Sequence, residues 1–565
     1  GSHLQVIACA GSGKTEAVSR RVAALIGEGV DPGAIVAFTF TEKAAAELKE
    51  RIIKLVAEVM GDGFKGRLAQ MFVGTIHSYC FKLLQDHVPR YGNYDVLEPH
   101  RHAGLLSREW SRLELKSLER VGHWATIELF SETVDVIGNE LIKPEQLKGT
   151  PIGAVYQDYL DTLDRYHFLT FGLIIQKTVE ALEDPAIFKK VHTPLRHLIV
   201  DEYQDINPAQ EALIRKLGSG HVQICVVGDD DQSIYQWRGS QTANILTFQK
   251  RYKAKAVTLA TNRRSRAEIV RLAATFAASI PNRLAKTMEP SRESEPTSIT
   301  PWSAETPEEE ARLVADAIED LHKRGFKYRD VAILFRSVRT SAPPFIAAFR
   351  ERRIPINCGG RTGLFLLPEI DAIARTYVWL VDNEWRPPGF GKQSVKVVLA
   401  DLARDFVAAF GKGRTAKEVS KYLEDWKKFT QESKTPANLV GDFYRLLNFL
   451  KVQDLNANDA DHSARLGSLA RFSSMLADFE NVNRRSRWVE DEDGSSHFRS
   501  GQSYGIWFYR NLANFIQNYA ADAYEEFEGE ERPDLDAVSI STIHQAKGLE
   551  WQVVFMPALV ANRFP

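Results

Sequence analysis

Leu4-Gln-Val-Ile-Ala-Cys-Ala-Gly-Ser-Gly-Lys-Thr15 is the stretch from which the fold is read. The apolar run Leu4–Ala10 predicts a buried strand, and Glu16–Ile26 has the spacing of an amphipathic helix. Between them lies a loop of small residues, Ala10, Gly11, Ser12 and Gly13. The glycines let the backbone curl so that its N–H groups point inward at an anion, and the helix N-terminus adds a favourable dipole. Lys14 offers a point charge for the outer phosphates of a nucleotide, and Thr15 a hydroxyl for a magnesium ion. The ending Gly-Lys-Thr is that of a phosphate-binding loop, although Ala8 stands where glycine is usual. A chance glycine-rich turn would need neither the strand before it nor the Lys-Thr pair after it.

Further strands are read at Ile35–Thr41, Leu198–Val200 and Val222–Gly228, with helices between them, which predicts a parallel sheet covered on both faces. Mostly helical text over 91–190, including Ala103–Arg120 and Pro151–Tyr166, interrupts this pattern as an insertion. A second α/β stretch begins near Val257, with strands at Val331–Phe335, Ile354–Asn357, Ala537–Thr542 and Val553–Pro557. A helical block of roughly 373–532 interrupts it in turn. Pro290–Pro307 and the acidic Tyr524–Asp536 read as linkers. Gly1-Ser2-His3 reads as an expression-tag remnant, and ends lying flush against apolar strands lead us to expect a chain trimmed at both termini.

The 565 residues are enough for about four units of ordinary size. No apolar run approaches the ~20 residues of a membrane span, which excludes a transmembrane protein. Cys9, Cys80, Cys225 and Cys358 form no C-x-x-C pair, so a cysteine-built zinc or iron–sulfur site is excluded and reduced cytoplasmic thiols are expected. A net charge of -2 excludes a globally basic nucleic-acid binder but permits a local basic channel. Residues 250–266 carry seven basic side chains and no acid, most simply a solvated helix end in which only Arg263 and Arg264 carry weight.

Leu198-Ile-Val-Asp-Glu-Tyr-Gln-Asp205 is an apolar strand ending in acids. At the C-terminal edge of a parallel strand these face the phosphate crevice. Asp201 is placed to hold Mg²⁺, and Glu202, one step further out, to activate the attacking water. Val226-Val-Gly-Asp-Asp-Asp-Gln-Ser-Ile-Tyr-Gln-Trp-Arg-Gly239 begins as a buried strand and then changes character. Gln232 can bond a γ-phosphate or the water, Arg238 supplies a cation, and Tyr235 and Trp237 offer flat faces for bases. A phosphate sensor beside stacking aromatics suits a device that converts nucleotide state into grip on a nucleic-acid strand.

With these residues in place the chain resembles the UvrD/Rep/PcrA branch of superfamily 1 DNA helicases. Ala8–Thr15 resembles motif I, Phe38–Glu47 motif Ia, Gly74–Ser78 motif Ib, Asp201–Asp205 motif II and Gly228–Gly239 motif III. Asn262-Arg-Arg-Ser265 resembles motif IV, and Ser541–Glu550 motif V. The resemblance implies two RecA-like parallel-sheet cores, 1A (1–90 and 191–262) and 2A (263–372 and 533–565). Each carries a mainly helical insertion, 1B (91–190) and 2B (373–532). It implies ATP and Mg²⁺ as cofactors, with Lys14, Glu202, Gln232 and Arg264 at the hydrolytic centre and Arg264 reaching across from 2A. Arg263, Gly548 and Glu550 would lie by the nucleotide, Glu550 on its ribose. Thr39, Phe40, Thr41, Lys43, Thr75, His77, Thr542, His544 and Lys547 would line a single-strand path, with Phe40 against a base. Arg263 stands where the family often has a tyrosine stacked on adenine. The adenine-recognising glutamine segment before motif I, and motif VI after motif V, are not in the sequence.

The reading is therefore an ATP-driven 3′→5′ helicase and translocase on single-stranded DNA and its junctions with duplex. Repair, recombination or replication is its setting, in the cytoplasm with the nucleoid. The polarity comes from the resemblance alone. A helicase–nuclease motor, a nucleotide-gated DNA-binding protein that remodels nucleoprotein without unwinding, and an RNA substrate remain as alternatives. Protein partners are not legible. A protein ending at Pro565 is expected to bind DNA and hydrolyse ATP slowly, for want of the motif VI arginine.

Overall fold

A computed structural model describes residues 2–119, 122–235, 239–293, 299–358, 361–387, 393–411, 413–433, 435–457, 459–490, 496–499, 505–520 and 536–561. The chain divides into two compact units, Gly1–Pro99 with Trp110–Pro301, and His100–Glu109 with Trp302–Pro565.

The first unit is built on six parallel strands: β1 (Leu4–Ala8), β2 (Ile35–Thr39), β3 (Phe72–Thr75), β4 (His197–Val200), β5 (Gln223–Gly228) and β6 (Lys255–Leu259). Their order is β3-β2-β4-β5-β1-β6. Strands β2, β4 and β5 are buried almost throughout, as continuous apolar runs in a sheet covered on both faces should be. Helices α1 (Lys14–Gly27) and α2 (Glu42–Met60) cover it. Val18, Val22, Leu25 and Ile26 of α1 meet Leu48, Ile52 and Val56 of α2 in one buried cluster. Each such side chain contributes roughly 1.5–3 kcal/mol of burial, which fixes both helix axes against the strand ends they follow.

Two strands were not read correctly from the sequence. Phe72–Thr75 is too short to announce itself, and it becomes the edge beyond β2. The run near Val257 does not open a second sheet. Lys255–Leu259 is the exposed edge strand beside β1. His3, set aside as a tag residue, is integrated at the same edge. Its carbonyl accepts from Lys255 N at 2.9 Å and its Nδ1 from Ile224 N at 3.1 Å.

The second unit has four parallel strands, β7 (Val331–Phe335), β8 (Ile356–Cys358), β9 (Val538–Thr542) and β10 (Val553–Phe555), ordered β8-β9-β7-β10. Between β8 and β9 in sequence run helices Pro368–Leu380, Leu399–Phe410, Ala416–Glu432, Leu439–Phe449, Ala460–Arg484 and Gly505–Phe515. The first unit's helical text forms helices at His123–Asn139, Pro151–Arg165, Phe171–Ala181 and Pro185–His192. Helix Pro99–Arg108 behaves differently: from His100 on it is part of the second unit. There Arg108 Nη1 donates to the Val482 carbonyl at 2.7 Å, and the His100 ring meets Tyr519 edge-on. The helix expected over Ala103–Arg120 ends at Arg108. The expected linker at 524–535 and residues 294–298 of the other lie outside the described residues.

Candidate nucleotide and nucleic-acid site

The phosphate loop is shaped by two glycines in the left-handed region, Gly11 at φ 64° and Gly13 at φ 89°. Gly13 is also the N-cap of α1, so the first-turn N–H groups of that helix open toward the loop. Ser12 Oγ is buried with no hydrogen-bond partner among the described residues. A buried hydroxyl left unpaired inside a ring of backbone donors is what an anion-binding loop presents before its anion arrives.

Gly11 is required for a second reason. A Cβ there would lie 2.8 Å from Arg264 Cβ and 2.9 Å from the Asn262 amide. The turn 262–265 is pinned onto the loop: Arg263 N donates to Gly11 O at 2.9 Å, and Asn262 Nδ2 to Ala10 O at 2.8 Å. Asn262 Oδ1 accepts from Arg264 N and Ser265 N at 2.9 and 2.8 Å. Asn262 is thus the buried post on which the Arg-Arg pair turns. The sequence reading credited the arginines and missed it, though the Asn-Arg-Arg-Ser quartet was the available signal. Arg263 and Arg264 are exposed, and the compact unit that carries them is the first.

At the end of β4, Glu202 adopts φ 50°, ψ 42°. This conformation costs a non-glycine residue on the order of 1–2 kcal/mol. It turns the carboxylate back over the loop, where Oε2 accepts from Lys14 Nζ at 3.0 Å. Asp201 Oδ1 accepts from Glu202 N at 2.9 Å. Burial and the adjacent Glu202 charge push the Asp201 carboxyl up to about 7, against the pull of Lys14. Burial also works against the Lys14 ammonium, but Glu202, Asp201 and Asp229 outweigh it and raise its pKa. Two carboxylates facing one ammonium, with the Thr15 hydroxyl at the start of α1, form an oxygen-rich, cation-seeking set. That set fits a hard divalent cation such as magnesium.

Gln232 completes the crevice. Its Nε2 donates to Asp229 Oδ2 at 2.6 Å, and its Oε1 lies 3.4 Å from Lys14 Nζ. Gln204, fully buried and unremarked in the sequence reading, ties the two acidic segments together. Its Nε2 donates to Glu202 Oε2 at 2.6 Å, and its Oε1 accepts from Asp229 N at 3.0 Å.

Beside this crevice lie the residues expected to meet a strand. Thr41 and Thr75 are the N-caps of α2 and of helix Ile76–His87, their hydroxyls accepting from Ala44 N and Ser78 N at 3.1 Å each. Thr75 Oγ1 also donates to Glu42 Oε1 at 2.8 Å, so the two helix starts adjoin. Thr39 is buried and donates to the Thr41 carbonyl at 3.0 Å, while Lys43 is exposed. His77 packs edge-on to Phe171, and desolvation lowers its pKa to about 4, so it stands there neutral rather than as a cation. Tyr235 does not present a free face. It is buried, and its ring stacks on Phe40 with centroids 5.3 Å apart and planes 13° from parallel. Gln236, Trp237 and Arg238 lie outside the described residues.

Thr542 ends β9 of the second unit, and His544, Lys547, Gly548 and Glu550 follow it. Thr542 Oγ1 is engaged with the Gln545 side chain at 3.2 Å and accepts from Gln545 N, and Gly548 takes φ 84°.

Comparison with known proteins gives a consistent result. Residues 1–253 match the model of the UvrD/REP helicase N-terminal domain, and 257–386 with 393–565 that of the UvrD-like helicase C-terminal domain. The whole chain is 30% identical to DNA helicase II of Haemophilus influenzae, covering 77% of that protein. It is 27% identical to the ATP-dependent DNA helicase PcrA of Staphylococcus aureus and 26% to that of Staphylococcus epidermidis, covering 76% of each.

Proposed function

The chain belongs to the UvrD/REP helicase family, and on that premise we propose that it is an ATP-driven DNA helicase. It moves 3′→5′ along single-stranded DNA and opens duplex at single-strand/double-strand junctions, in repair, recombination or replication. The observation that carries the reading is the convergence of Lys14, Glu202 and Gln232 on one phosphate loop, three residues in sequence from a ring that stacks on Phe40.

The chemistry follows from the present bonds. ATP places its outer phosphates over Gly11–Thr15, and Lys14 exchanges the Glu202 carboxylate for phosphate oxygens. That exchange frees Glu202 to take a proton from the attacking water. Thr15 and Asp201 would hold Mg²⁺, which would supply counter-charge to the phosphates. Gln232, which faces Lys14, follows the terminal phosphate as it is bound and lost. Arg264, carried on Asn262, adds positive charge as the phosphate leaves. Arg263, beside Arg264, completes the nucleotide site of this unit.

Movement of Gln232 is passed to Tyr235 along the same short turn. A base enters by displacing one ring of the Phe40–Tyr235 pair and taking its place as the other's stacking partner. The helix starts at Thr41 and Thr75, with Lys43, hold the backbone phosphates without reading sequence. Neutral His77 contributes a hydrogen bond rather than a charge. Thr542, His544 and Lys547, on the second unit, contact single-stranded DNA in their own right. No helix among the described residues is long and apolar enough to cross a membrane. Cys9, Cys80 and Cys225 are free thiols. Both suit a cytoplasmic enzyme acting at the nucleoid.

The test is unwinding of partial duplexes carrying a 3′ or a 5′ single-stranded tail, with ATP and Mg²⁺. Opening of the 3′-tailed substrate alone is expected. Preference for the 5′ tail would reverse the polarity, and hydrolysis without opening of either would favour remodelling over unwinding.

A further inference from the structure

Asp229, Asp230 and Asp231 follow β5 directly, and their side chains are only 1–9% exposed. Three adjacent buried carboxylates are costly unless cations meet them. The cations come from a segment 52 to 57 residues further along the chain. Lys286, itself fully buried, donates to Asp229 Oδ1 and Asp230 Oδ1 and lies 3.2 Å from Asp231 Oδ2. Arg283 grips Asp231 with two bonds, at 2.9 and 2.6 Å, and Leu284 N donates to Asp230 Oδ2 at 2.7 Å. Cys9 Sγ donates to the Thr287 carbonyl at 3.4 Å, which anchors the segment at the end of β1.

The oxygens of Asp229 are divided among three donors, with Asp231 N at 3.2 Å sharing Oδ1. Oδ1 takes Lys286, and Oδ2 takes Gln232 Nε2 at 2.6 Å. A primary amide has one donating end and one accepting end. With Nε2 committed to a carboxylate, Oε1 must face the other way, toward Lys14 Nζ at 3.4 Å.

We propose that Lys286 is a positioning residue for ATP hydrolysis: by holding Asp229, it sets the orientation in which the Gln232 amide meets Lys14 and the terminal phosphate. The inference rests on the reading of Gln232 as a phosphate-facing group. Without Lys286, Oδ1 of Asp229 keeps only the longer bond from Asp231 N at 3.2 Å, and the carboxylate is free to rotate about it. The amide then loses its fixed direction although Gln232 is still present. ATP still docks, because Gly11–Thr15 are untouched, so the loss falls on kcat and not on KM.

The experiment is a cycle of Lys286→Met, Gln232→Ala and the double variant in the full chain. Single-strand-stimulated ATP hydrolysis is resolved into kcat and KM, and each variant's melting temperature is recorded. Lys286→Met is expected to lower kcat roughly tenfold, with KM within about twofold, and to lower it by less than about twofold when Gln232 is already alanine. Losses that multiply in the double variant would overturn the proposal, since Lys286 would then act independently of Gln232. Should Lys286→Met fail to fold, the charge-neutral pair Lys286→Met with Asp229→Asn replaces it in the cycle. A folded pair turning over at the parent rate overturns the proposal, and a folded pair with kcat alone reduced supports it. If Gln232→Ala itself leaves kcat unchanged, the reading of Gln232 fails and the inference falls with it. If Gln232→Ala is slow while Lys286→Met is not, only the inference fails.

Discussion

Replacing Asn262 with alanine removes three hydrogen bonds at one stroke: the bond to Ala10 O at 2.8 Å and those accepted from Arg264 N and Ser265 N at 2.9 and 2.8 Å. Each is worth about 1 kcal/mol net, so the docked turn loses about 3 kcal/mol. At about 1.4 kcal/mol per factor of ten, that is a roughly 150-fold fall in its population relative to undocked alternatives. Arg264 rides on this turn, so kcat for DNA-stimulated hydrolysis should fall by one to two orders of magnitude, on the order of that figure at most. Asn262→Asp keeps the acceptor for two amides but sets a carboxylate oxygen where Nδ2 donated to Ala10 O at 2.8 Å, so it too should lower kcat. The assay is steady-state hydrolysis with a saturating oligonucleotide, beside fluorescent-nucleotide affinity and thermal melting. Melting should move little, because the turn is local. Asn262→Ala within twofold of the parent kcat would show that these bonds do not set the position of Arg264.

Two further outcomes are expected. Tyr235→Ala should weaken single-strand binding by roughly 1–3 kcal/mol of stacking, equally on mixed sequences. Unchanged affinity in fluorescence anisotropy would make the Phe40–Tyr235 pair a packing feature only. His102 is buried and desolvation lowers its pKa to about 3. The unfolded chain takes up its proton below about 6.5 while the folded chain does not, so stability is lost as pH falls from about 6.5 toward 3, at up to about 1.4 kcal/mol per unit. Melting temperatures from pH 7.5 to 5.5 should therefore decline less steeply in His102→Leu than in the parent.

The parts of the site that could be read from the sequence are those built from contiguous text. Strand, loop and helix follow one another from Leu4 to Gly27, so the phosphate loop announces itself, and the acids at the end of β4 do the same. Asn262 and Lys286 act across 252 and 57 residues of chain, with no period or spacing to betray them. Gln204 lies within the text that was read, but its role appears only when Glu202 and Asp229 converge on it. The left-handed turn at Glu202 has no sequence sign, because it is imposed by the partners its carboxylate finds. Tyr235 was read as an open stacking face because chemistry alone suggests one, whereas its present partner, Phe40, comes from another strand's end. Edge strands fail for a related reason. Lys255–Leu259 is exposed along most of its length and carries no alternation.

Glu202→Gln tests whether this crevice hydrolyses ATP to drive motion on DNA. The amide keeps the shape and an acceptor for Lys14 but cannot take a proton from water. ATP hydrolysis is measured for parent and variant, with and without a single-stranded oligonucleotide, together with affinity for ATP. The account predicts a parent rate that rises with DNA, and a variant that binds ATP as the parent does while its turnover falls by ~10²–10⁴-fold. A variant that hydrolyses ATP at the parent rate, or a parent rate indifferent to DNA, would contradict it.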